Sequence, residues 1–256
     1  MSRYSRTGGY GSGYGGGYGI GYPIWSPVVR ILIITCVIVF LLQNFARIAG
    51  GLGTFEQIFG LSARDVTQRF FLWQLVTYIF LHDGVFHILF NMLALWMLGS
   101  DLERTWGGRE FTRFFFICGI GAGISTVFLE TLFGQNSTTI GASGAIYGIL
   151  LAYGMHFPNR IIYLLIFPIP AKWFVVLMGG LAFFSALGPS SGVANVAHLG
   201  GMLFGFLYLK FWKGGGGGFR GRYDRWRRDR MRKKFNVYYG DRYNDPPEDL
   251  RWRRWK

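Results

Sequence analysis

A serine and a histidine on separate apolar segments are the residues of this chain best suited to chemistry. Ser143 stands in Gly141-Ala142-Ser143-Gly144, and His198 in Ala197-His198-Leu199-Gly200-Gly201. Polar side chains at membrane depth are costly, so each needs a reason. A serine beside an imidazole can attack a carbonyl, with the histidine taking the hydroxyl proton and later giving it to a leaving amine. Gly141 and Gly144 allow close backbone approach around the serine. The free amides of a helix start can stabilise an oxyanion. Taken alone, the four-residue motif fits helix packing as well as it fits catalysis. It also lacks the second glycine of the soluble hydrolase elbow, because Ala145 stands there. His198 alone fits a structural histidine bonded to a carbonyl. What links the two is a pair of small-residue strips, Gly144 with Gly148 and Gly201 with Gly205, each spaced to let helix backbones pack closely.

His87 and Asn91 are four residues apart and share one helix face. They suit the donors of an oxyanion hole, or equally a polar packing pair. Asp101 and Glu130 lie near helix ends and Glu103 lies beside Arg104, so no carboxylate is placed to orient His198. The residues therefore point to a Ser–His dyad rather than a triad. No metal site is expected: His82 and His87 are five apart, and neither HExxH nor a cysteine pair occurs. Cys36 and Cys118 both fall in apolar runs, and a disulfide between them is not expected.

The elements that must carry these residues are apolar and regular. Half the chain is hydrophobic (51%) and 19% is aromatic, concentrated in the middle. The first span runs from about Pro27 to Phe45, long enough to cross a hydrocarbon core of ~30 Å. A long mixed connection, read as a partly membrane-embedded loop, leads to His82. Further spans follow at about 84–103, 110–133, 141–157, 171–187 and 193–212. The fourth is short and opens with the GASG motif. The reading is an all-α membrane protein of six transmembrane helices with a short central fourth helix. The turns carrying Arg104, Arg109 and Arg113, and Arg160 and Lys172, are basic like the N-terminal segment, whereas 134–140 and 188–194 hold no Lys or Arg. The positive-inside rule then puts both termini in the cytoplasm.

Three domains follow: a Gly/Tyr-rich disordered tail at 1–26, a membrane domain at 27–212, and a Gly hinge with a basic Arg/Trp-rich tail at 213–256. The chain carries +14, and from Lys213 to Lys256 the 15 Lys or Arg against 6 Asp or Glu leave +9. Arg225, Arg227, Arg228, Arg230 and Arg232 around Trp226 suit contact with anionic lipid headgroups. No nucleic-acid module is recognisable.

Together, His87-Ile-Leu-Phe-Asn91, Gly141-Ala-Ser143-Gly144 and Ala197-His198-Leu-Gly-Gly201 resemble the rhomboid family of intramembrane serine proteases. The resemblance covers about Pro27 to Trp212 and extends to Glu103-Arg-Thr-Trp-Gly107, Tyr147, His82 and Gly205. It implies Ser143 as nucleophile and His198 as general base. It further implies His87, Asn91 and the Ser143 amide as the oxyanion hole, and Tyr147 as a ring stacked on the catalytic histidine. Gly141, Gly144 and Gly201 would support the site. No cofactor is implied. The substrates would be transmembrane segments of other proteins, entering beside helix five, and the location a bacterial inner membrane. One departure stands out: Trp73 is followed by Gln74 where many rhomboids have arginine, which leaves the order of the first loop open. A silent rhomboid-like protein that binds transmembrane helices is the second reading, and a small transporter or channel the third.

Overall fold

The computed structural model describes residues 25–50, 52–164, 167–187 and 192–213. The Gly/Tyr-rich head before residue 25, the 214–218 hinge, the basic tail and residues 188–191 lie outside the described residues.

The chain starts with α1 (Pro27–Ile48), and Pro27 occupies the first helical position, where its missing N–H is no loss. The free amides of this first turn are closed by a residue far along the sequence. Glu103 Oε2 accepts from the Ser26 hydroxyl at 2.5 Å and from the Val29 amide at 2.9 Å, while Oε1 accepts from the Val28 amide at 2.9 Å. A buried carboxylate at a helix N-terminus satisfies both the orphan donors and the helix dipole. Sequence reading put Glu103 beside Arg104 at a turn. The structure turns Glu103 inward, and Arg104 pairs with Asp101 instead.

The connection after α1 holds α2 (Leu52–Phe59), β1 (Leu61–Ser62), α3 (Ala63–Gln68), α4 (Gln74–Thr77) and a 3-10 turn at Tyr78–Phe80. Gln74 is fully buried and orders this segment. Its Oε1 accepts from the Ser62 amide at 3.1 Å, and its Nε2 donates to Gln57 O at 2.9 Å. The glutamine thus pins the loop by backbone hydrogen bonds. Trp73 Nε1 and the Thr77 hydroxyl add bonds to Ile58 O and Phe59 O.

The second span is continuous from Val85 to Trp106: α5 (Val85–Ala94), a wider π turn at Leu95–Gly99, and α6 (Ser100–Trp106). Gly107 (φ 82°) breaks it, and α7 (Gly108–Phe133) ends at Gly134 in the left-handed conformation common after a helix. β2 (Thr138–Thr139) pairs antiparallel with β1, which ties the first connection to the segment entering α8 (Ser143–His156). An antiparallel ribbon, β3 (Ile161–Leu164) with β4 (Phe167–Pro170), leads to α9 (Ala171–Ala186). Last come α10 (Gly192–Leu207) and a π turn at Tyr208–Lys213. The two small sheets are additions to the all-helical expectation. Among the described residues α1, Val85–Trp106 and α7 are long and apolar enough to cross a membrane, and α9 is a shorter apolar helix.

The core forms where α7, α8 and α10 meet, and small residues set the spacing. A Cβ at Gly201 would lie 1.9 Å from Gly144 O. One at Gly148 would lie 2.4 Å from Cys118 Sγ, and one at Gly205 3.3 Å from Gly148 Cα. The two strips read from the sequence therefore interlock. Outward faces stay apolar, as with Ile31, Ile38, Leu41 and Phe45 on α1, which suits lipid as the surrounding solvent.

Four substitutions test these constraints by detergent unfolding. Glu103→Ala leaves buried donors of α1 unpaired and should destabilise the protein by about 3 kcal/mol, with Glu103→Gln recovering part of the loss. Gly201→Ala should lower the unfolding midpoint sharply, whereas Gly180→Ala, which meets nothing within 4 Å, should leave it near wild type.

Candidate active site

Ser143 is the first residue of α8, and its position is fixed from the preceding segment. The Gly141 amide donates to Tyr78 O at 2.9 Å, and Gly141 takes φ 123°, a conformation L side chains rarely adopt. A Cβ at Gly141 would also lie 2.9 Å from His87 Nε2, so there is no space for one. Tyr78 in turn donates its hydroxyl to Gly119 O of α7 at 2.6 Å. The run-up to the serine is thus held by the first connection and, through it, by the third span.

The close approach of α8 and α10 sets Ser143 Oγ 2.8 Å from His198 Nε2. The His198 ring lies flat on Tyr147, with centroids 4.1 Å apart and planes 3° apart. Tyr147 follows Ser143 by one turn of α8, so the stacking ring and the hydroxyl share a face. His198 Nδ1 is buried with no hydrogen-bond partner among the described residues. The stack therefore orients the imidazole where a soluble triad would use a carboxylate.

His87 approaches from α5. Its Nδ1 accepts the Asp83 amide at 3.3 Å. A backbone N–H can only donate, so the proton of the neutral ring sits on Nε2, the atom facing Gly141. Asn91 lies one turn further along, buried, with one amide hydrogen given to His87 O at 2.9 Å. That bond uses one hydrogen of the Asn91 amide group within its own helix.

His82 precedes the helix of His87, at the end of the first connection where the sequence reading put it. It stands in non-helical backbone, and its ring meets His87 edge-on at 5.2 Å between centroids. Burial, with His87 a smaller contributor, pushes its pKa down to about 4 against the opposing bond to Phe80 O. Among the described residues no group of three His, Cys, Asp or Glu is placed to hold a metal.

Sequence reasoning missed two supporting residues. Gln43, buried at the end of α1, donates to Glu56 Oε1 at 2.7 Å and accepts the His82 amide at 3.2 Å. Its signal was an amide at the end of an apolar span. Tyr78, fully buried, carried no local signal at all.

A rhomboid domain model matches residues 69–212, more than half of the chain. The chain is 34% identical over 154 residues to RHOMBOID-like protein 1 of Arabidopsis thaliana, covering 60% of this chain and 38% of that protein. It is 32% identical over 183 residues to rhomboid protease GlpG of Serratia proteamaculans, covering 69% of this chain and 59% of that one. Against rhomboid protease GluP of Bacillus subtilis the identity is 32% over 151 residues, 58% of this chain and 28% of the relative. The chain thus spans less than two thirds of the length of each. With its apolar helices and this match over most of the described span, the chain is an integral membrane protein that belongs to the rhomboid family.

Proposed function

We propose that this chain is an intramembrane serine endopeptidase that cuts transmembrane segments of other proteins through a Ser143–His198 dyad. The observation that carries the reading is the 2.8 Å contact between Ser143 Oγ and His198 Nε2 at a helix interface. The names of GlpG and GluP as rhomboid proteases support it from outside the structure.

In this reading Ser143 Oγ attacks the scissile carbonyl carbon while His198 Nε2 takes its proton. The carbonyl oxygen becomes an oxyanion beside the Ser143 amide, the His87 Nε2–H and the second Asn91 amide hydrogen. Collapse breaks the C–N bond, and His198 returns the proton to the leaving amine. Water then attacks the acyl-enzyme with His198 again as base, which releases the acid and restores Ser143. Donors fixed before the reaction act on charge as it develops, which is where they lower the barrier.

The same reading has six spans, with α8 as the short central one and both termini on the cytoplasmic face of a bacterial inner membrane. The basic tail then lies beside anionic headgroups, and its many Arg residues fit that surface. A tail peptide should bind anionic vesicles and be released by high salt.

The test is labelling by a fluorescent fluorophosphonate in detergent. Wild type should label, and Ser143→Ala and His198→Ala should not. His87→Ala should slow cleavage of a transmembrane substrate by about 10²–10³-fold, the cost of one oxyanion donor. Tyr147→Phe should keep activity because the ring stack survives, whereas Tyr147→Ala should lose kcat with little change in KM. A folded wild type that binds a transmembrane peptide without labelling would overturn the protease reading in favour of a silent binder.

A further inference from the structure

The β3–β4 ribbon is apolar on both faces. Its register pairs Ile162 with Ile169, and Ile162 is buried against the protein. Strand alternation turns Ile161, Tyr163 (65% exposed) and Pro168 outward, and Phe167, on the Ile162 side of the ribbon, is also 64% exposed. An antiparallel ribbon with one face in water carries polar residues there, and a lone two-stranded ribbon is marginal in water. This outer face offers a single hydroxyl, that of Tyr163.

Its surroundings say what covers it. Arg160 stands at the foot of β3, ion-paired to Asp101, with its guanidinium 4.9 Å from the Phe157 ring. Lys172 follows β4, its Nζ 5.9 Å from the exposed Trp173 ring. Tyr and Trp flanked by Arg and Lys is the residue pattern of a membrane–water interface, where aromatic rings sit at headgroup level and cations meet phosphates. The ribbon also cannot project far from the bundle. The Ala171 amide donates to Arg160 O at 2.8 Å and the Lys172 amide to Pro158 O at 3.1 Å, which fastens it to the first turn of α9. Four exposed side chains fall well short of the ~800 Å² per partner that a stable protein interface buries.

We propose that the β3–β4 ribbon is an interfacial membrane anchor, seated among lipid headgroups at the bundle end that carries Asp101 and Arg160, and that it fixes the depth of α9. The proposal does not depend on protease activity.

Cys36 and Cys118 are buried, so an introduced cysteine is the reactive thiol. Full-length Tyr163→Cys and, separately, Phe167→Cys would be labelled with NBD and reconstituted into phosphatidylcholine–phosphatidylglycerol vesicles. Leu41→Cys on the outer face of α1 serves as the deep control, and Asp83→Cys as the aqueous one. Both ribbon probes should emit to the blue of the Asp83 probe. They should lose intensity to lipid carrying a spin label near the headgroup more than to lipid labelled at the chain end, and resist iodide. Water-like emission quenched by iodide would overturn the proposal. Blue-shifted emission that neither lipid quencher dims, and that varies with protein-to-lipid ratio, would also overturn it, by assigning the face to a second copy of the chain.

Discussion

Gly201 lies against the Gly144 carbonyl so closely that a methyl group there would sit 1.9 Å from the oxygen, and the rest of the arrangement depends on that approach. In lipid no hydrophobic force drives helices together, so packing at small residues supplies much of the attraction. Ser143 and His198 sit on the two backbones so joined, next to or three residues before the contact glycines. Their 2.8 Å separation lies near the middle of the hydrogen-bond range, and moving the helices apart by about 1 Å would end it. A bulkier residue at the contact would therefore cost geometry at the site as well as packing. Gly148 and Gly205 repeat the constraint one turn further along, with Cys118 of α7 filling the space between them.

Around this seam, polar groups serve as long-range fasteners. Glu103 closes the N-terminus of α1 and so fixes that helix to α6. Gln43, near the other end of α1, accepts the His82 amide, and the His82 ring meets His87. Gln74 fastens the first connection to itself, and the β1–β2 pair binds that connection to the backbone that enters α8. Glu103, Gln43 and Gln74 are buried polar side chains whose partners lie elsewhere in sequence. An unpaired one would cost about 1–3 kcal/mol, so each enforces a single register between the elements it joins. The chain of contacts runs from the first span to the two residues, Gly141 and His87, that flank Ser143.

That pattern explains what the sequence made legible. Motifs whose meaning is local were readable: the glycine strips, the His87/Asn91 face, and a serine at a helix start. The apolar runs gave the helices to within a few residues. Fasteners were not readable, because Glu103 next to Arg104 looks like a turn residue until Ser26 is brought beside it. Gln74 could be seen only as a missing arginine, although its amide supplies both a donor and an acceptor to loop backbone. The β3–β4 ribbon was hidden for a different reason: an unbroken apolar run has no period, so periodicity cannot separate strand from helix there.

The length of α8 joins the seam to the ribbon. Fourteen residues rise about 21 Å, short of a hydrocarbon core of ~30 Å. The far end of α8 is tied to an interface-like cluster: Tyr153 donates to Asp101, Asp101 pairs with Arg160, and Arg160 begins the ribbon. In the proposed arrangement that end is held at one face, and Ser143 at the other end then stops roughly 10 Å short of the opposite face. The backbone that covers the remaining distance carries Asn136, Ser137, Thr138 and Thr139, with Ser137 bonded to Glu130 and Asn136 accepting from Ser62. A polar, non-helical stretch at that depth is tolerated where protein or water surrounds it, not lipid. In the proposed protease reading hydrolysis consumes water, and this polar stretch ahead of Ser143 is the side of α8 from which that reading brings it.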